Sequence, residues 1–179
     1  MRFGILVFPG TWSDTDCYYQ VKDILGQDAD YVWHDETSLD AYDSVILPGG
    51  FSYGDYLRPG AIARFSPVMA GVAAFAAGGG PVLGICNGFQ ILCETGLLPG
   101  ALVRNRSLQF RCEHVFLKVP TADSPFTREV PEGKVLRVPI AHGEGCYFAD
   151  EETLAKLQAN ERILFQYTTE AGELTDGAN

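Results

Sequence analysis

Four short apolar runs, each closed by turn residues and followed by a helical pattern, constrain the fold of this chain more than any other feature. They are "RFGILVF", "DYVWH", "YDSVILPGG" and "PVLGI". A strand with one solvated face alternates apolar and polar residues, whereas a continuous apolar strand is buried on both faces. In parallel sheets the crossover helices provide that cover. The spacing predicts those helices. "SDTDCYYQVKDIL" opens with a capping box, Ser13 with Asp16 three residues on. Ser66 and Pro67 predict an N-cap and a first helical residue for "VMAGVAAFAA", which stops at Gly78-Gly79-Gly80. A third helix is predicted from Asn87. The expected class is α/β, a parallel sheet flanked by helices. Its functional groups should stand outside the carboxyl ends of the strands, where Gly49-Gly50 and Cys86 share one rim.

Beyond "LLPGAL" the character changes. "ALVRNRSLQFRCEHVFLKVP", "KVLRVPIAHGEGCYF" and "ERILFQYTTEAGEL" are rich in β-branched and turn residues, which predicts antiparallel strands and a β-rich C-terminal part with no long helix. The closing "GELTDGAN" reads as a polar surface loop. With 179 residues and no repeat, low-complexity tract or Pro-rich linker, a single domain spanning 1–179 is expected.

Charge and cysteine usage exclude several classes. A formal charge of −10 disfavours nucleic acid and anionic membranes, both of which need clustered Lys and Arg. The apolar run of "MRFGILVFPG" is too short for a signal sequence, so a cytoplasmic protein is expected, and no stretch has the apolar length of a membrane span. The five cysteines are odd in number and lack a C-x-x-C pair, which argues against a disulfide framework and against a zinc site. No metal is expected.

The chemistry gathers at "GICNG", residues 84–88, which has the nucleophile-elbow pattern with cysteine in place of serine. A nucleophile on such a corner occupies a strained backbone position, so its neighbours two residues away must be small. The helix that starts behind it favours a thiolate and a developing oxyanion. By itself the pattern fits equally a β-to-α turn with a buried packing cysteine. "VILPGGFSYGDYLRPG" adds a Gly-rich turn one βα unit earlier. The amides of Gly50 and Asn87 are the expected oxyanion hole for a tetrahedral acyl intermediate.

Taken together and in order, "PGGFSYGD", "GICNGFQIL", "LPGAL" and "AHGEG" resemble the class I glutamine amidotransferases. Within them they are most similar to the glutaminase subunits that serve a synthetase making formylglycinamidine ribonucleotide in purine biosynthesis. The resemblance covers the whole chain. It implies that Cys86 attacks the side-chain amide of glutamine, forms a glutamyl thioester and releases ammonia to the synthetase. No cofactor is then bound by this chain; ATP and Mg are used on the synthetase, and a small accessory subunit of the same complex is a further expected partner. The resemblance also puts Gly49 beside Gly50 in the oxyanion turn and makes Gln90 a glutamine contact. Ala141, Gly143 and Glu144 of "AHGEG" become candidates for holding the α-amino and carboxylate groups.

One departure stands out. The resemblance places the base and its orienting carboxylate in a Pro-His-Pro-Glu segment near the C-terminus. No proline in 1–179 is followed by histidine. The expectation is of a domain lacking that C-terminal segment and inactive in this form. His142 and Glu144 imitate a His-x-Glu pair, but their surroundings match the pocket loop. His34 is read as structural and His114 as facing solvent or a neighbour. Cys93 is read as packing, and Arg104, Arg106 and Arg111 as a solvated face or a docking patch. Two competing readings are a cysteine-elbow stress protein or peptidase of related fold, and a non-catalytic binding subunit.

Overall fold

The computed structural model describes residues 1–175, so the last four residues of the expected C-terminal loop lie outside it. The chain forms two compact units, one from Met1 to Ala101 and one from Leu102 onward.

The first unit is the expected parallel sheet. Strands β1 (Arg2–Val7), β2 (Asp28–Trp33), β3 (Ser44–Leu47) and β4 (Val82–Gly84) lie in the order β2-β1-β3-β4, every pairing parallel. Both faces are covered, as the uninterrupted apolar runs require. On one face Leu6, Val45 and Leu47 pack with Val68, Met69 and Val72 of helix α2 (Val68–Ala77) and with Ile91 and Leu92 of helix α3 (Asn87–Glu94). On the other, Ile5 and Ile46 pack with Cys17 of helix α1 (Asp14–Tyr19) and Val21 of the π-helical turn Gln20–Ile24 that continues it. Successive strand residues thus point to opposite cores, which explains why the sequence shows no alternation.

Both predicted helix starts differ in detail from the expectation. Ser13 precedes α1, but its side chain makes no cap hydrogen bond, so the capping box is not formed. Its hydroxyl accepts the Gly49 amide instead, at 2.8 Å. Ser66 and Pro67 stand one place earlier than predicted, with Pro67 at the N-cap. The Ser66 hydroxyl lies 2.9 Å from the Tyr53 hydroxyl. Each serine hydroxyl bonds the nearest partner, and in both cases that partner belongs to the loop after β3 rather than to the helix.

The second unit is mainly antiparallel, as expected. Strands β6 (Arg111–Lys118), β7 (Val135–His142) and β9 (Gln166–Thr168) form a sheet in the order β7-β6-β9, and β5 (Ala101–Val103) pairs with β8 (Cys146–Phe148). The expectation of no long helix is corrected by α4 (Glu151–Ala159), which starts at Asp150 with the Asp150 carboxylate accepting the Thr153 amide at 2.7 Å. Buried polar residues, Asn105, Thr121, Thr127 and Thr168, take up much of this unit's interior beside Val119.

Candidate active site

The corner after β4 is built as the glycine pattern demands. Cys86 has φ 51° and ψ −108°, a left-handed conformation that a residue with a Cβ adopts only under constraint. The constraint is steric. A Cβ on Gly84 would sit 2.6 Å from the Leu92 side chain and 2.8 Å from the Gly88 backbone, and a Cβ on Gly88 would run into the Leu47 carbonyl. Small residues on both sides let α3 start directly behind the thiol. The Gly88 amide donates to the Ile85 carbonyl at 2.8 Å and the Gln90 amide to the Cys86 carbonyl at 3.1 Å, closing the first turn.

The Pro48-Gly49-Gly50 turn at the end of β3 lies against this corner, since a Cβ on Gly49 would fall 3.4 Å from the Cβ of Cys86. Its position is fixed by the segment after β1. The Gly49 carbonyl accepts from the Trp12 and Ser13 amides, and the Phe51 amide donates to Gly10. Gly50 pairs with Thr11 in the bridge these bonds close, yet its own amide takes part in none of them. Gly50 has φ 145°, and a Cβ there would lie 2.6 Å from the Trp12 nitrogen, so no other residue fits without moving the turn.

The loop that follows is tied to α3 along its length. Ser52–Asp55 is a tight turn with left-handed residues at Tyr53, Gly54 and Asp55. The Asn87 side chain accepts the Ser52 amide at 3.1 Å and donates to Gln90 at 3.0 Å and to Asp55 at 3.4 Å. Gly60 packs on the backbone of Gln90 and Ile91, and Arg58 makes a two-pronged ion pair with Glu94 at 2.6 and 2.7 Å. Tyr53 is anchored at its hydroxyl by His34 Nδ1 at 3.1 Å and by Ser66. His34 is therefore structural, as read from the sequence.

The electrostatics correct one expectation. The helix start was expected to favour the Cys86 thiolate. Cys86 is an exposed residue, but partial desolvation of its sulfur raises the thiol pKa; the Asn87 amide hydrogen-bonded to the sulfur pulls it down, and the nearby Asp55 carboxylate raises it. The net direction is upward: one amide at the start of an eight-residue helix is outweighed by lost hydration. Cys17 and Cys93 are buried, with thiols pushed up to about 11. Cys93 is a packing residue.

The remaining predicted residues lie in the second unit. Ala141 and His142 end β7, and Gly143 and Glu144 follow. One residue that sequence reasoning passed over, Asn105, organises this loop. Its Oδ1 accepts the Gly145 amide at 2.9 Å and lies 3.1 Å from His142 Nδ1, its Nδ2 donates to the His142 carbonyl at 3.0 Å, and its own amide donates to Gly143. The imidazole of His142 thus leans on a carboxamide, and burial lowers its pKa. Its only signal in sequence was the polar pair in "RNRS" within an otherwise β-like run. His114, Arg104, Arg106 and Arg111 are exposed. Among the described residues there is no cluster of metal-ligating side chains and no helix long and apolar enough to cross a membrane.

A strained cysteine at a strand-to-helix corner, flanked by obligatory glycines and faced by a glycine turn, is the geometry of a nucleophile elbow. Residues 1–179 match the model of the CobB/CobQ-like glutamine amidotransferase domain, and the chain belongs to that family. Its relatives narrow the class. It is 59% identical over its full length to phosphoribosylformylglycinamidine synthase subunit PurQ of Moorella thermoacetica, covering 76% of that protein. It is 55% identical to the subunit of the same name from Salinibacter ruber, over 99% of this chain and 76% of that one. A solved structure of PurLQS from Thermotoga maritima superposes with a TM-score of 0.80 at 47% identity, over 84% of this chain and 70% of that chain.

Proposed function

We propose that this glutamine amidotransferase hydrolyses glutamine at Cys86 and passes the ammonia to a synthetase subunit that makes formylglycinamidine ribonucleotide in purine biosynthesis. The single observation that carries the reading is the Cys86 corner, where a left-handed nucleophile stands against the Gly49-Gly50 turn. In the step assigned to it, the sulfur attacks the side-chain carbonyl carbon of glutamine. The carbonyl oxygen takes the negative charge, and the amides of Gly50 and Asn87 donate to it. Two facts support these donors: the Gly50 amide is left out of the bonds that hold its turn, and the Asn87 amide already points at the sulfur. The C–N bond then breaks, nitrogen leaves as ammonia with an added proton, and water releases glutamate from the thioester.

Gly49 shapes the turn, and Gln90, buried beside Asn87, is the substrate contact on this unit. The assignment of Ala141, Gly143 and Glu144 to the α-amino and carboxylate groups of glutamine rests on the family resemblance of "AHGEG" alone. The thiol proton must go to a base, because the raised pKa leaves the sulfur mostly protonated near neutrality. His34 is committed to Tyr53 and does not serve. ATP and Mg belong to the synthetase, no cofactor is bound here, and a small accessory subunit completes the complex; the Thermotoga maritima relative is a PurLQS structure.

The test is Cys86→Ala in the full natural chain assembled with its synthetase. Glutamine-dependent synthesis should vanish, while synthesis driven by added ammonia should persist. A glutamine-like electrophile should label Cys86 in the unaltered protein and no cysteine in the variant. Loss of both activities, or labelling elsewhere with Cys86 untouched, would refute the assignment.

A further inference from the structure

We propose that the side chain of Asn87 is a positioning residue that sets the Gly50 amide against the nucleophile. The inference rests on the reading of Gly50 and Asn87 as the oxyanion donors, and assigns the carboxamide a task separate from that of its backbone amide.

Asn87 is 1% exposed and directly follows Cys86. Burying a carboxamide is costly unless it is hydrogen-bonded, and an apolar residue would fill the volume without that cost. Asn87 spends its bonds across one seam. Its Oδ1 takes the Ser52 amide, two residues beyond Gly50, and its Nδ2 reaches Asp55 in the same turn and Gln90 on the helix. The bonds have a direction, acceptor to the loop amide and donor to the two side-chain oxygens, which a flipped carboxamide could not satisfy.

The loop needs such a hold. Tyr53 at φ 53°, Gly54 at φ 69° and Asp55 at φ 53° form a run of left-handed residues. Backbone of this kind persists only where its surroundings over-determine it. The Tyr53 hydroxyl bonds and the Arg58–Glu94 pair secure the loop to groups remote from the thiol. Asn87 secures it to the residue next to the thiol. Displacing an oxyanion donor matters because its worth depends on lying about 3 Å from where the charge develops.

Asn87→Ala and Asn87→Ser, the latter with a hydroxyl too short to reach the Ser52 amide, test this in the full chain with its synthetase. The expected result is a fall in kcat for glutamine hydrolysis of about ten- to a hundredfold, with KM moved by less than about threefold. Alkylation of Cys86 by iodoacetamide, a displacement that builds no oxyanion, should stay within about threefold. Unchanged kcat, or equal losses in hydrolysis and alkylation, would overturn the proposal, as would failure of both variants to fold. Gly50→Ala separates the two levels. If it lowers kcat while Asn87→Ser does not, only this inference fails. If neither changes kcat, the oxyanion reading fails with it.

Discussion

Changing Ser13 to alanine deletes the hydroxyl that accepts the Gly49 amide at 2.8 Å, and turnover should fall while the fold survives. A half-buried hydrogen bond of this kind is worth about 1 kcal/mol net. If that energy goes into keeping the glycine turn against Cys86, its loss converts to about five- to tenfold in kcat. Stability should fall by about the same 1 kcal/mol whether the replacement is alanine or glycine, because the side chain of Ser13 serves Gly49 and does not cap α1. The opposite account, in which Ser13 is an N-cap, makes a different forecast. A Ser-to-Ala cap change costs about 0.5–2 kcal/mol, whereas Ser-to-Gly costs only a few tenths. The assay is glutamate release beside thermal melting, for Ser13→Ala and Ser13→Gly in the assembled complex. The geometry requires the two variants to lose activity equally, since both lack the acceptor. A glycine variant as active as the unaltered protein, with an alanine variant that melts several degrees lower, would refute the reasoning.

Gly88→Ala should destabilise far more than Gly96→Ala, because a Cβ at Gly88 meets the Leu47 carbonyl and one at Gly96 meets nothing within 4 Å; thermal melting of both decides it. The alkylation rate of Cys86 in the isolated chain should be low at neutral pH and rise through the alkaline range, with a midpoint above that of an ordinary thiol. Asp55→Asn should move the midpoint down by removing a charge that disfavours the thiolate, as rate-versus-pH profiles would show. Burial lowers the pKa of His142 in the folded state, so the unfolded chain binds protons first on acidification. That contribution to stability is intact above an imidazole's usual pKa of about 6.5 and is lost as pH falls below it. Urea midpoints from pH 5 to 8 should flatten in His142→Gln.

The sheet was legible because its strands are short, apolar on both faces and closed by glycines, a pattern that helices on either side alone can satisfy. The elbow was legible because Gly84 and Gly88 bracket Cys86 at the spacing that steric contact requires. Helix α4 was not, since its leucines reach no buried position and its acidic start resembles a loop. The serines were misread for a different reason. Ser13 and Ser66 are good caps by local rules, but hydrogen-bond partners more than a dozen residues away captured their hydroxyls. The direction of the Cys86 pKa shift also escaped, because helix position can be read from a string and the walls around a sulfur cannot. Asn87 was singled out for its backbone, and its carboxamide gained meaning only when Ser52 and Asp55 came within reach.

The backbone of Cys86 sets stability and chemistry at odds. A residue at φ 51° and ψ −108° carries a conformational cost of about 1–3 kcal/mol that glycine would escape. Replacing Cys86 by glycine should therefore raise the stability of the fold while removing the thiol. Cysteine at this corner thus carries a conformational cost that its packing does not offset, and that cost is the measure of what presenting a thiol there demands of the fold.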